Sequence, residues 1–372
     1  MNLFRLSPTI CECADFATFA AELSLDEHDL ILTNVYIFEP RISSLRLNCQ
    51  VLFQEEFGSG EPSDQMVDAI LETLRNRHFH RLIAVGGGTI IDIAKILAVA
   101  EPESTVDSLY ALMDRLQKHH PLYIVPTTCG TGSEVTAISI VNRTAKGVKQ
   151  GLVSDAMYAD CAVLIPEMLA GLPYRVFATS SIDAMIHAVE SYLSPNATCL
   201  STLFSCRALE LLLPGWERCT FAQDCYRKEL APDFLRAATY AGIAFSNAGV
   251  GAVHALSYPL SGTRHVPHGE SNHAMFAAVM KKYIEKNSGG KLWQLSLKLS
   301  SLLHCEAEEA FGALEALANQ ILPRKPLQAY GVTQRELQDY TKSVLETQQR
   351  LLKNNYISLS ERDIAEIYKD AY

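Results

Sequence analysis

No segment of this 372-residue chain is apolar over about 18 consecutive residues, the length that a helix needs to cross a bilayer. The opening residues, MNLFRLSPTI, also lack the basic stretch and apolar core of a secretory signal peptide. The ten cysteines are scattered and include no CxxC pair, which is typical of free thiols in a reducing compartment. We therefore expect a cytoplasmic protein that has no membrane partner.

Positive charge is scarce as well. Lysine and arginine total 32 against 42 acidic residues, so the net charge is −10 at pH 7. Because nucleic-acid binding requires clustered cations that neutralise phosphates, this balance argues against a nucleic-acid partner. Apolar residues make up 48% of the chain and charged residues 20%, as in soluble globular proteins. The length is sufficient for two domains of ordinary size.

The first half of the chain alternates short β-like runs with helical patterns. Residues 30–38, 81–85 and 122–128 are predicted to contain strands, because they are short apolar runs rich in Leu, Ile and Val. Ser63 is the predicted N-cap of a helix that contains Val67, Ile70, Leu71 and Leu74 at helical spacing. This alternation predicts a Rossmann-like parallel sheet covered by helices.

The second half changes to long segments of helical period, from about Phe177 onward. One of these segments, residues 234–257, is predicted to be helical throughout. Gly and Pro interrupt the pattern at GLPYR, Gly171–Arg175. We therefore expect an α/β domain over residues 1–174 and an all-α domain over residues 175–372.

A glycine turn follows one predicted strand in the stretch IAVGGGTIIDIAK. Gly86, Gly87 and Gly88 would allow positive φ and close approach of a ligand to the backbone, and the helix that follows would favour a phosphate at its N-terminus. The turn does not match the dinucleotide fingerprint GxGxxG, because Ile91 takes the third glycine position. Taken alone, the turn is equally consistent with a structural role.

A second polar loop, PTTCGTGSEVT (Pro126–Thr136, hereafter the threonine loop), follows the next predicted strand. Ligands of open α/β sheets bind at the carboxyl ends of the strands. Two Gly-rich polar loops after consecutive strands therefore favour a nucleotide over two unrelated structural turns.

Four residues form a candidate set of metal ligands. Asp183 and His187 are four residues apart in a helical pattern, so they share one helix face, although the pair alone would fit a local hydrogen bond. His254 and His268 would add two more imidazoles, with His265 and His273 as rivals by spacing alone. One carboxylate and three imidazoles suit Fe(II) or Zn(II).

Together these motifs resemble the metal-dependent, iron-containing alcohol dehydrogenase family. The stretches that carry the resemblance are GGGTIIDIAK, PTTCGTGSEVT, SSIDAMIHAVESY and GVGAVHALSYPLSGTRHVPHGE. The resemblance implies an N-terminal nucleotide-binding α/β domain, a C-terminal helical metal-binding domain, an active site in the cleft between them, and a homodimer. It also implies NAD and a divalent metal as cofactors, with Fe(II) expected and Zn(II) as the alternative.

The resemblance also assigns individual residues. It places the metal ligands on Asp183, His187, His254 and His268, so that His265 and His273 are not ligands. It places the cofactor-binding residues on the two loops and on a lysine: Gly86, Gly87, Gly88, Thr89, Asp92, Thr127, Thr128, Thr131, Thr136 and Lys149.

Within the family, FGSGEPSDQM, HALSYP, HVPHGE and QQRLLKNNY resemble the NAD-dependent 4-hydroxybutyrate dehydrogenases of anaerobic fermentation. That resemblance implies a small substrate with a carboxylate, for which Arg264 or His265 is a candidate partner. A general short-chain alcohol, 1,3-propanediol or lactaldehyde-type dehydrogenase is the alternative inside the family. A lyase related to dehydroquinate synthase and a non-catalytic binding module are the alternatives outside it.

Three positions depart from the broad family pattern. Tyr258 replaces a histidine that is placed near the nicotinamide as a proton relay, so Tyr258 either holds a water or a ribose hydroxyl in that relay or only shapes the pocket. Asn34 replaces an aspartate near the adenosine ribose, so a preference for NAD over NADP cannot rest on its charge. Ile165 replaces the aspartate of a DPE motif.

Overall fold

The computed structural model describes residues 3–372. Its contacts divide the chain into two compact units, each described below by itself. The first, hereafter the sheet unit, contains residues 6–172 and 227–235. The second, hereafter the helical unit, contains residues 3–5, 173–226 and 236–372.

Six parallel strands form the centre of the sheet unit, in the spatial order β1-β8-β5-β4-β2-β3. A separate antiparallel hairpin consists of β6 and β7. The strands are β1 Thr9–Glu12, β2 Asp29–Thr33, β3 Gln50–Phe53, β4 Arg81–Gly86, β5 Leu122–Pro126, β6 Ile138–Arg143, β7 Val148–Val153 and β8 Cys161–Leu164. The helices up to residue 111 are α1 Phe16–Leu23, α2 Val35–Arg41, α3 Asp64–Leu74, α4 Gly88–Val99 and α5 Val106–Ala111.

Side chains of the sheet alternate between two apolar cores, one on each face. Leu30 and Leu32 of β2 pack in the core that includes α3 and α4, whereas Ile31 between them packs in the other core with Phe16 and Phe19 of α1. Burial on both faces explains why consecutive residues 30–32 of β2 are all apolar. The predicted fold class, a parallel Rossmann-like sheet followed by a helical region, is confirmed.

Ten helices follow from residue 174 to the end of the described chain. They are α6 Tyr174–Leu193, α7 Cys199–Phe221, α8 Ala231–Ala248, α9 Ala252–Arg264, α10 His268–Lys286, α11 Gly290–Leu303, α12 Ala310–Ile321, α13 Glu336–Thr347, α14 Gln349–Lys353 and α15 Glu361–Ala371. Among the residues that the structure describes, none of the helices is both long and apolar enough to span a membrane.

Two predicted elements differ from the structure. The strand expected over residues 30–38 ends at Thr33, and helix α2 begins at Val35. The Glu55 carboxylate accepts a hydrogen bond from the Val35 amide at 2.6 Å and so caps the N-terminus of α2. The spacing of apolar residues does not reveal this contact. The helix expected over 234–257 is interrupted after Ala248, because Gly249 has a φ of +76°.

Candidate active site

Three helices of the helical unit place the four candidate metal ligands together. Asp183 and His187 lie one turn apart on α6, His254 lies in the first turn of α9, and His268 is the first residue of α10. Each residue offers one ligand atom, and all four atoms lie within 4.8 Å of one another. The sequence could place the first two on one helix face, but only the packing of three helices brings all four together.

Close packing of α10 against α6 depends on Gly269. A Cβ atom at this position would lie 2.0 Å from the Thr179 carbonyl oxygen, a backbone atom that cannot move aside cheaply. Any larger residue would therefore push the first turn of α10 away from α6. Because His268 precedes Gly269, this close approach fixes the distance between His268 and Asp183, which is 3.7 Å from Nε2 to Oδ1.

The spacing of the donor atoms fits a single divalent ion. Asp183 Oδ1 lies 3.9 Å from His254 Nε2, and Asp183 Oδ2 lies 3.9 Å from His187 Nδ1. Four ligands about 2.1 Å from one ion in tetrahedral geometry are roughly 3.4 Å apart. The three distances to Asp183 would therefore contract by a few tenths of an ångström around an ion, and the wider separations in the set, up to 4.8 Å, would contract by more. Imidazole nitrogen and carboxylate oxygen are the donors that Fe(II) and Zn(II) accept.

Burial and charge distinguish this cluster from a surface group of polar residues. The side chains of Asp183, His187 and His254 are 4%, 7% and 3% exposed, whereas that of His268 is 30% exposed, so the cluster opens on the side of His268. Burial acts to raise the pKa of the Asp183 carboxyl, but the three neighbouring imidazoles and the Asn272 amide outweigh it and lower that pKa below its usual range.

Two residues that sequence reasoning missed contact the ligand set: Glu190 lies behind His254, whereas Asn272 lies on the side of the ligand atoms, with its Nδ2 3.2 Å from both His254 Nε2 and His268 Nε2. The Glu190 carboxylate binds His254 Nδ1 at 2.5 Å, and the Asn272 amide donates to Asp183 Oδ1 at 2.8 Å. Glu190 follows Asp183 by seven residues, so the helical period places both on one face of α6. Asn272 likewise follows His268 by four residues on α10, so helical spacing was a usable signal for both residues.

The other histidines considered from the sequence lie outside the cluster. His273 is buried, and its Nε2 donates to the Leu322 carbonyl oxygen at 2.9 Å. Burial lowers the pKa of His273 to about 4, so its imidazole is neutral at pH 7. His265 is exposed and adopts a left-handed conformation, with a φ of +53°, where α9 ends.

Tyr258 lies beside the ligand set, and its ring centroid is 6.0 Å from that of His268. Arg264, a candidate partner for a substrate carboxylate, is already engaged: its guanidinium donates to Glu336 Oε1 at 2.6 Å and to the Gly331 carbonyl at 3.1 Å. Tyr258 therefore lies at the site, whereas the guanidinium of Arg264 is paired with the carboxylate of Glu336.

The glycine turn and the threonine loop meet at the carboxyl edge of the parallel sheet. Gly86 is in register with Pro126, so the two loops leave β4 and β5 at the same level. Contrary to the expectation of positive φ, none of the three turn glycines adopts it. Close packing is the visible constraint instead: a Cβ at Gly86 would overlap Ile90 at 2.4 Å, and one at Gly87 or Gly88 would lie tightly against Thr128 at 3.1 Å or Thr131 at 3.0 Å.

A buried lysine, which sequence reasoning also missed, holds the threonine loop. Its ammonium donates to three oxygens: Ser133 Oγ at 2.6 Å, Thr136 Oγ1 at 2.8 Å and the Ile138 carbonyl at 2.8 Å. This residue, Lys95, lies on α4 and is fully buried, and burial lowers its pKa to about 8. A lysine among the otherwise apolar residues 93–99 of α4 was the signal in the sequence.

Asp92, one turn before Lys95 on α4, completes this arrangement. Its carboxylate accepts the Ser133 hydroxyl at 2.8 Å and the Ile140 amide at 2.9 Å, and burial raises its pKa. Thr136 is buried and the Asp92 side chain is 14% exposed, so both would lie behind the surface of the candidate nucleotide site, where they hold the loop that carries Thr128 and Thr131. Thr127 is buried, and its amide donates to the Gly86 carbonyl at 3.1 Å.

Further candidate cofactor residues lie near this edge. The Thr89 hydroxyl donates to the Gly60 carbonyl at 3.1 Å, and Lys149 forms an ion pair with Glu61. Asn34 is buried after β2, and its amide donates to Glu55 Oε2 at 2.8 Å. A carboxylate therefore lies next to Asn34 although the chain has no acid at position 34.

Both halves of the chain match models of one class of enzyme, the metal-dependent dehydrogenases. A model described as iron-containing alcohol dehydrogenase matches residues 13–166, and one described as the Fe-containing alcohol dehydrogenase family, C-terminal, matches residues 177–372. The chain therefore belongs to the iron-containing alcohol dehydrogenase family, as its motifs predicted, and it is an oxidoreductase.

Two relatives align over nearly all of the chain. The 4-hydroxybutyrate dehydrogenase of Clostridium kluyveri is 44% identical over 372 residues, which is 100% of both chains. Long-chain-alcohol dehydrogenase 1 of Geobacillus thermodenitrificans is 33% identical over 366 residues, covering 93% of this chain and 90% of that one.

Solved structures share the fold at lower identity. A 1,3-propanediol oxidoreductase superimposes with a TM-score of 0.86 at 22% identity, with full coverage of both chains. The sulfoacetaldehyde reductase of Bifidobacterium kashiwanohense, solved in complex with NAD⁺, gives a TM-score of 0.85 at 21% identity and covers 100% of this chain and 98% of that one.

Proposed function

We propose that this protein is an NAD-dependent 4-hydroxybutyrate dehydrogenase, which interconverts 4-hydroxybutyrate and succinate semialdehyde. The observation that carries the proposal is the 44% identity, over the full length of both chains, to a protein of that name. We assign nucleotide binding to residues 1–174 and metal binding to residues 175–372. The clustered ligands in the helical unit and the paired loops of the sheet unit support this division of roles.

In this proposal, Asp183, His187, His254 and His268 hold a divalent metal, Fe(II) or Zn(II). A metal bound there would supply Lewis-acid polarisation of the substrate carbonyl and would stabilise negative charge on its oxygen. Burial of three of the four side chains excludes water from most of the cluster, and the more exposed His268 leaves an approach for a small substrate. Tyr258, beside His268, would hold a water or a ribose hydroxyl in the path of the proton.

NAD would bind along the carboxyl edge of the parallel sheet, and the bound cofactor would supply the hydride. The glycine turn and the N-terminus of α4 would bind the pyrophosphate, because helix amides and the helix dipole favour an anion. Thr128 and Thr131 are partly exposed in the threonine loop and would contribute hydroxyls, and Lys149 would add a cation on the same side.

The carboxylate beside Asn34 favours NAD over NADP. Glu55 is exposed and lies 2.8 Å from the Asn34 amide, so it would repel a 2′-phosphate at the adenosine ribose. We expect Glu55→Gln to raise the ratio of kcat/KM for NADPH to that for NADH about tenfold, the effect of ~1.4 kcal/mol. Steady-state assays with both cofactors measure this ratio. Glu56→Gln, which removes the same charge one residue away, is the matched control, and an unchanged ratio in Glu55→Gln would refute this role.

A substrate panel tests the proposed activity. Anaerobically prepared, metal-loaded protein is assayed with NADH and succinate semialdehyde, and in parallel with propanal, butanal, lactaldehyde and 3-hydroxypropanal. We expect succinate semialdehyde to have the highest kcat/KM. Turnover of the simple aldehydes without turnover of succinate semialdehyde would replace the proposal with a general short-chain alcohol dehydrogenase of the same family.

We further propose that the enzyme is a cytoplasmic homodimer. All ten cysteines are free thiols in the structure, which supports a reducing compartment. The family resemblance supports the dimer, and light scattering at several protein concentrations would measure it.

A further inference from the structure

Glu190 is a buried carboxylate with two specific contacts. It lies on α6 and is 4% exposed. Its Oε2 binds His254 Nδ1 at 2.5 Å, and its Oε1 accepts the Val253 amide at 2.7 Å. One carboxylate therefore holds both the backbone before His254 and the ring of His254 itself. Two contacts to adjacent residues restrict the ring more than either contact alone.

The same carboxylate caps the N-terminus of α9. Gly251, the N-cap of this helix, has no side chain that could cap the first turn. The first backbone N–H groups of α9 must therefore donate to side chains from other segments. Asn355 Oδ1 accepts the Ala252 amide at 3.0 Å, and Glu190 accepts the next amide, that of Val253. Gly251 permits this approach, because a Cβ there would lie 2.8 Å from Asn355 Oδ1 and 3.3 Å from Glu190 Oε1.

The contact to His254 also determines which ring nitrogen carries the proton. A carboxylate only accepts hydrogen bonds, so Nδ1 of His254 must donate. The lone pair is then on Nε2, which faces Asp183 Oδ1 at 3.9 Å inside the ligand set. An imidazole bonded to a carboxylate is also a more basic donor to a metal, and it is held in one orientation.

A helix cap alone does not require a buried negative charge. A hydroxyl or amide side chain caps a helix as well, without the cost of removing an ionised carboxylate from water. The charge is compensated when the imidazole that it binds also binds a cation. We infer that Glu190 is a positioning residue for the metal: it fixes the orientation and the tautomer of His254 and raises the affinity of the ligand set for a divalent ion. This inference rests on the proposed metal site.

The substitution Glu190→Gln separates the two roles. Glutamine has nearly the same shape, but an NH₂ group that only donates replaces one of the two oxygens. The Val253 amide and His254 Nδ1, which bind different oxygens of Glu190, then no longer both have an acceptor in place. We expect the affinity for Zn²⁺ and Co²⁺, measured by competition with a chromophoric chelator, to fall 10- to 100-fold. We also expect the visible spectrum of the Co²⁺-loaded protein to change, because the orientation of one nitrogen ligand changes.

Glu167→Gln is the matched control. The Glu167 carboxylate accepts the Phe16 amide at 2.8 Å, at the start of α1, and so caps a helix in the sheet unit. Both variants should lower the melting temperature of the metal-free protein, but only Glu190→Gln should weaken metal binding and change the Co²⁺ spectrum. If Glu190→Gln does not fold, Glu190→Asp carries the test, since the shorter side chain cannot keep both contacts, and at least a fivefold loss of affinity is expected.

The outcomes distinguish failure of this inference from failure of the proposed metal site. A parent protein that binds neither ion would overturn the proposed metal site and the inference together. A parent that binds metal, with a Glu190 variant of equal affinity and unchanged Co²⁺ spectrum, would overturn the inference alone. Weaker binding in the Glu190 variant and unchanged binding in Glu167→Gln would support it.

Discussion

Replacement of His268 by alanine is expected to abolish metal retention and dehydrogenase activity together. His268 contributes one of the four clustered ligand atoms, and its removal leaves a three-ligand set. Lewis-acid stabilisation by a metal amounts to several kcal/mol, so we expect kcat/KM to fall roughly 10³-fold or more. Metal content after gel filtration and steady-state rates with succinate semialdehyde measure the two effects.

The position of His268 makes this variant easy to interpret. Its side chain is 30% exposed, so alanine removes little packing and the fold should be retained. His78→Ala, at an exposed histidine of the sheet unit, is the control for nonspecific effects of losing an imidazole. A His268→Ala protein that kept a full equivalent of metal would contradict the ligand set.

Replacement of Lys95 by methionine is expected to have the second largest effect. The variant leaves the hydroxyls of Ser133 and Thr136 and the Ile138 carbonyl without their buried donor. Leaving buried neutral acceptors without their donor costs about 1–3 kcal/mol of unfolding free energy. Because the threonine loop loses its anchor, we also expect NADH affinity to fall at least tenfold. Urea unfolding and fluorescence titration with NADH measure these effects.

The stability difference between the parent and Lys95→Met should depend on pH. The pKa of Lys95 is about 8 in the folded protein against 10.5 for the ordinary side chain. Between these values the unfolded chain binds a proton that the folded protein does not, so the stability of the parent rises with pH relative to the variant. From pH 7.5 to pH 9.5 the free energy of unfolding of the parent should rise by about 2 kcal/mol relative to that of the variant.

Lys118→Met is the matched control for this experiment. Lys118 also binds a carbonyl and a carboxylate, of Tyr158 and Asp160, but its side chain is 26% exposed. An ion pair that water reaches contributes under about 1 kcal/mol. Equal destabilisation in the two variants would refute the role of Lys95 as a buried anchor.

The parallel sheet was predictable from local periodicity, but only half of the clustered ligand set was predictable from spacing. Asp183 and His187 share a helix face by their spacing alone, whereas His254 and His268 joined them through a family resemblance. Helix α2 was not predictable in the same way. Its N-terminus is satisfied by Glu55, which lies 20 residues further along the chain, and apolar spacing contains no information about that contact.

Two of the three residues that the sequence analysis missed are buried charges, and the third, Asn272, is a buried amide. Glu190 and Lys95 each had a signal in the sequence, but both are at most 4% exposed and bind groups from other elements that spacing does not identify. Their partners, the α9 N-terminus and the threonine loop, are defined only once the helices and the sheet have packed. The glycine turn shows the same limit, because its glycines serve close packing with Thr128 and Thr131 rather than positive φ.

Anomalous diffraction from crystals of the anaerobically purified protein would test the metal centre directly. Data collected on both sides of the iron absorption edge, and again at the zinc edge, locate and identify the ion. We predict one strong peak about 2.0–2.2 Å from a carboxylate oxygen of Asp183 and from one ring nitrogen each of His187, His254 and His268. Catalytically active crystals without a peak among these four residues would contradict a metal-dependent dehydrogenase site.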